Sequence, residues 1–232
     1  MLAFESKSNG HRILKLMVIE RLIKELEVPL LCINAARILT NLCINIGAHG
    51  FTQLWAVIDA APTVLRAIMS EENKLIMPEE NKFLSITVES KLQEMMVGLA
   101  ANVFKFMNTE ALSIMFERAE IQEVELARAL IQILGKYQNP AIKAPRIRRF
   151  VIELATWMMS HNEASVQIFK DLGMIKEMES SNDTTSELEN FNVFCSTFGM
   201  SRHTTTIHSL VETAMKLLET SDLKPCRIAI SK

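Results

Sequence analysis

Apolar residues recur along most of this chain at intervals of three and four, the spacing of one face of an α-helix. The pattern is plain over His11 to Glu27, where Ile13, Leu16, Met17, Ile19, Leu22, Ile23 and Leu26 fall together. Pro29 closes that segment and opens the next, because a helix tolerates proline in its first turn. The second helix is expected to run through Cys43 to about Ile46, with Gly47 and Gly50 breaking the chain behind it. A third is expected over about Thr52 to Met69, kinked or split by Pro62. Residues 70–80 are polar and acidic and read as a loop before a long helix over about Glu80 to Met107. Further helices are expected over Ile121 to Tyr137, Pro145 to Ser160 and His203 to Thr220, with a break at Asn139-Pro140. Residues 1–10 are expected to be flexible, 179–190 to form a second polar loop, and 221–232 a disordered tail. The predicted helical domain therefore spans 11–220.

Three of these segments share a design. Asn34 to Cys43 places Ala35 and Ala36 one turn before Ile38, Leu39 and Leu42, with Asn41 set among the apolar positions. Small residues let neighbouring helices approach, and large ones fill the gaps. Met95 to Phe104 and Phe150 to Met159 are looser versions. A second echo follows the last two. Asn108-Thr-Glu-Ala-Leu-Ser-Ile-Met-Phe116 resembles Asn162-Glu-Ala-Ser-Val-Gln-Ile-Phe169, and Glu110/Glu163, Ala111/Ala164 and Phe116/Phe169 all lie 53 residues apart. The unit is a buried helix, an Asn turn and a short helix ending in Phe. Its period exceeds the usual helical repeat of about 40–47 residues, so insertions are implied.

Composition narrows the class. The chain has 232 residues, 49% of them apolar but only 6% aromatic, with 14 Met, 7 Gly and 6 Pro. Such a chain suits helix-on-helix packing and argues against a turn-rich all-β fold. The net charge of −2 calls for neither nucleic acid nor an anionic membrane. No apolar run approaches the ~20 residues of a membrane-spanning helix, so no membrane segment is expected. Cys32 and Cys43 sit on one predicted helix, eleven residues and about 16 Å apart, too far for a disulfide. Buried free thiols suit a reducing compartment. The expected location is intracellular, the cytoplasm first, with the nucleus or a peripheral membrane position open. The start of the chain carries no evident polar capping helix, so part of a longer array or a truncated product is the expectation.

Asn34 to Cys43 resembles the third helix of an armadillo repeat. Asn162 to Met178, with Phe169, Gly173, Ile175 and Met178, resembles the junction between one such repeat and the next. As a whole the chain is similar to the C-terminal part of plant proteins of the armadillo-repeat superfamily. The resemblance implies an all-α solenoid of stacked helices with a concave groove, and a non-catalytic scaffold that binds a protein or peptide there. In peptide-binding members an Asn on the third helix holds the ligand backbone; Asn41 and Asn102 match that position. The nuclear-import receptors add a Trp one turn earlier, where this chain has Arg37 and Gly98. Trp157 is followed four residues later by His161. The Trp–Asn ladder is thus missing. Three other readings stay open: the substrate-binding half of a ubiquitin-ligase component, an isolated helical-bundle enzyme, and a membrane-associated scaffold whose anchor lies upstream.

Catalytic, metal-binding and cofactor-binding residues are not expected. The five histidines form no ligand spacing, no cysteine pair has zinc spacing, and no glycine-rich phosphate loop occurs. The one basic cluster is Lys143, Arg146, Arg148 and Arg149. Its expected state is a solvated helix start, with contact to an acidic partner, a phosphate or an import receptor as the alternatives. Positive charge at a helix N-terminus is mildly unfavourable, which is a reason to look for a compensating group. The candidate partner-binding residues are accordingly Arg37, Asn41, Asn102, Trp157, Arg146, Arg148 and Arg149.

Overall fold

A computed structural model describes residues 18–28, 31–50, 60–69, 82–138, 144, 146–180 and 205–220. Among them the chain is helical, with no strand. The helices are α1 (Val18–Glu25), α2 (Cys32–Gly50), α3 (Ala61–Met69), α4 (Lys82–Phe104), α5 (Thr109–Ala119), α6 (Glu123–Lys136), α7 (Ile147–His161), α8 (Glu163–Asp171), α9 (174–180) and α10 (Ile207–Thr220). The expectations for residues 1–10, 70–80, 181–190 and 221–232 lie outside the described residues.

The centre of the fold is α4. Every residue from Leu92 to Ala101 is buried, so this helix has no solvent face along its middle. It packs against α2, α3 and α7, and α7 in turn packs against α10. The three segments of like design, on α2, α4 and α7, are thus consecutive packing partners. Gly98 is the residue that lets α7 in. A Cβ built there would lie 2.8 Å from Cε2 and 2.9 Å from Cδ2 of Phe150, inside van der Waals contact.

The two Asn turns also appear as expected. The Asn108 side chain accepts from the Ala111 N–H at 2.8 Å and caps α5, while Asn162 accepts from Ala164 N–H at 3.0 Å and caps α8. Asn162 also donates to Glu123 Oε2 at 3.0 Å, and Ser165 donates to Oε1 of the same carboxylate, so the second turn is tied to α6. Gly173, at φ +81°, makes the left-handed turn into α9.

Two details differ from the periodicity, at Gly47 and at residues 179 and 180. The second helix does not break at Gly47 but continues to Gly50, although glycine costs ~1 kcal/mol per residue in a helix interior. Pro62 bears on an expected helix whose residues 52–59 lie outside the described residues. It occupies the second position of α3, where its missing N–H has no intrahelical duty. Residues 179 and 180 belong to α9 rather than to the expected loop.

Polar groups knit the interior. Tyr137 donates its hydroxyl to Gln93 Oε1 at 3.1 Å, and Gln93 donates to the Ile68 carbonyl at 3.3 Å, joining the end of α6 to α4 and α3. Burial pushes the Tyr137 hydroxyl pKa up. Cys32 and Cys43 are buried and form no disulfide among the described residues. Burial raises the Cys43 pKa from 9.0 to about 12.

Two outcomes are expected. Because the folded thiol of Cys43 holds its proton longer than the unfolded one, its contribution to stability is complete below pH 9 and is lost as pH rises toward 12. Denaturation of wild type and Cys43→Val between pH 8 and about pH 11 should show the variant losing less stability, by about 1.4 kcal/mol per pH unit above 9. Gly98→Ala should destabilise by about 1–2 kcal/mol, the overpacking against Phe150 exceeding the helix-propensity gain. Adding Phe150→Leu should recover part of that loss, read as a coupling energy in a double-mutant cycle.

Candidate functional site

Arg37 and Asn41 are one turn apart on α2, so they share a face. That face, with Thr40, borders a cleft whose other walls are Met95 and Gly98 of α4 and Arg146 and Phe150 at the start of α7. Met95 and Phe150 are buried and make an apolar floor, while Arg37 is exposed at the rim. The cleft exists because α2, α4 and α7 are successive neighbours and because Gly98 draws the Phe150 ring close to α4.

Arg146 is held in place from two sides. Its guanidinium lies 5.3 Å from the Phe150 ring centroid, and its Nε donates to Glu94 Oε1 at 3.4 Å. Glu94 is fully buried, and the same Oε1 takes Lys91 Nζ at 2.9 Å. The second oxygen, Oε2, meets no donor among the described residues. One carboxylate thus bridges two cations, and the longer contact to Arg146 leaves that guanidinium only partly committed. Thr40 donates its hydroxyl to the Ala36 carbonyl at 2.8 Å, which leaves its oxygen lone pairs as acceptors. The groups that border the cleft are two forked cations, the buried amide of Asn41 and a hydroxyl around an apolar floor, an arrangement suited to recognition.

The expected residues separate into two groups. Arg37, Asn41 and Arg146 come together at the cleft, although the outer two lie 109 positions apart along the chain. Asn102 does not join them; its Nδ2 donates to the Gly98 carbonyl one turn back on its own helix, at 2.8 Å. Trp157 is half-buried on α7, its ring 6.4 Å from that of His161. The solvated basic face expected at the start of α7 is not found for Arg148 and Arg149, which are 2% and 1% exposed. Arg148 donates to the Gln138 carbonyl at 2.9 Å, and burial lowers its pKa against the opposing charge of Glu177. Arg149 donates to Glu153 Oε1 at 3.0 Å and, through Nη2, to the Thr205 carbonyl. Internal acceptors therefore compensate the positive helix start, and neither side chain has surface to offer. Lys143 lies outside the described residues.

The pattern of apolar spacing did not single out Glu94. A signal was present: a carboxylate directly beside Met95-Met96-Val97, with Lys91 one turn before it. A charge inside a helix that is apolar all round needs a partner, and its presence marks a place where cations converge.

Among the described residues no group of three or more His, Cys, Asp or Glu could hold a metal ion, and no helix is long and apolar enough to cross a membrane. No protein-family model, curated protein or solved structure matches this chain, so its function has to be read from the cleft itself.

Glu94→Gln should destabilise the fold by about 2–3 kcal/mol, because Lys91 and Arg146 would face each other without the carboxylate between them. Urea denaturation monitored by far-UV circular dichroism would measure it.

Proposed function

We propose that this chain is a non-catalytic protein-interaction module built on an armadillo-like stack, and that the cleft between α2, α4 and α7 receives a segment of a partner protein. The observation that carries this reading is the convergence of Arg37, Asn41 and Arg146 on one cleft. Two of the three stand on the helix that resembles the third helix of an armadillo repeat, the element that faces the groove in that family. The consecutive packing of α2, α4 and α7, and the repeated Asn-capped short helix, support the same reading. The ligand contacts would be hydrogen bonds and charge, with Met95 and Phe150 excluding water beneath them.

Arg37→Glu tests the reading cleanly, since the side chain is exposed and makes no hydrogen bond or ion pair among the described residues. Quantitative mass spectrometry of photo-crosslinked complexes from cell extract should show specific partners of the wild type falling about tenfold or more in the variant, at unchanged melting temperature. Partners captured equally by both proteins would remove the cleft from consideration.

A further inference from the structure

We infer that the Arg37–Arg146 cleft recognises a phosphomonoester, carried on a phosphoserine or phosphothreonine of the partner segment. This deepens the reading of the cleft as a docking site and rests on it.

Unused donors are the first argument. Arg37 has no hydrogen bond or ion pair among the described residues. Arg146 spends its Nε on Glu94, and no acceptor among the described residues meets its Nη1 or Nη2 groups. A guanidinium is a planar fork of five N–H donors whose spacing matches two oxygens of a phosphate or carboxylate. Arg146 lines the cleft, and its guanidinium is held beforehand by Phe150 and Glu94. Prior placement lowers the ordering cost of binding.

The charge count selects between the two oxyanions. Lys91 and Glu94 cancel, which leaves the two arginines at the cleft as a net charge of about +2. A phosphomonoester near neutral pH carries about −1.5 to −2, whereas a carboxylate side chain carries −1 and would leave one cation uncompensated. A nucleic acid fits poorly, because backbone recognition needs many phosphate contacts and the chain as a whole is at −2. A lipid surface fits poorly too. It calls for a polybasic patch with exposed apolar side chains, and the apolar lining here is buried Met95 and Phe150.

The probe is an immobilised degenerate peptide library with a fixed central phosphoserine, set against the same library with serine. Wild-type protein should be retained at least about tenfold better by the phosphorylated library, and inorganic phosphate should compete. Arg37→Gln should lose most of that preference. Arg146→Lys keeps the charge beside Glu94 and so keeps the fold, but it loses the fork and should bind about tenfold more weakly. Equal retention on both libraries, an Arg37→Gln variant that discriminates as well as wild type, or preferential binding to phosphoinositide-containing vesicles would each overturn the inference. Phosphatase treatment of the extract separates this idea from the broader one. Partners lost on Arg37→Glu but indifferent to phosphatase would refute phosphate recognition and leave the docking site standing. Partners indifferent to both would remove the two together.

Discussion

The close approach of α7 to α4, with the Phe150 ring laid where Gly98 has no side chain, is the contact on which the rest of the arrangement depends. It decides where the start of α7 falls. Arg146, four residues before Phe150, is thereby brought over that ring and within reach of Glu94. The cleft follows from the same contact, since its far wall is the start of α7 and its near wall is the face of α2 that packs on α4. A larger residue at 98 would move all of these together, because close-packed interiors transmit displacement rather than absorb it.

Three arginines within four positions meet three different fates. Arg146 keeps 18% of its side chain exposed at the cleft, whereas Arg148 reaches back to the loop after α6 and Arg149 reaches to Thr205 at the entrance of α10. Neighbours on a helix are turned by about 100° from one residue to the next, so adjacent side chains cannot share one environment. Arg149 has a structural part in this: with Ile207, Val211, Ala214 and Leu218 buried, it ties α10 against α7. The internal carbonyls and carboxylates that receive these cations also offset the unfavourable positive charge at the helix start. A cluster that reads as one basic patch along the chain is therefore one surface cation and two internal ties.

The buried carboxylate of Glu94 has a comparable double character. Full burial of an ionised group is costly unless cations and donors surround it, and only one of its oxygens is engaged among the described residues. Its value lies in placement: it positions Arg146 without saturating it. The amide of Asn102 shows the opposite outcome. It matches the position of Asn41 in the repeated design, yet it turns to a carbonyl of its own helix, so the two asparagines are not equivalent.

Local chemistry was enough to determine the helices, because amphipathic spacing, Asn caps and a left-handed glycine act over a few residues. The capped turns at Asn108 and Asn162, the stop at Gly173, the buried thiols and the like design of α2, α4 and α7 were all readable from the chain. The placement of Pro62 in a first turn and the continuation of α2 through Gly47 were not, since both depend on where packing begins and ends a helix. Nor was the division of Arg146 from Arg148 and Arg149, or the separation of Asn41 from Asn102. Those were decided by which helices lie side by side, a matter of contacts between residues tens of positions apart. Periodicity specifies which face of a helix is buried; only the tertiary structure specifies what that face is buried against.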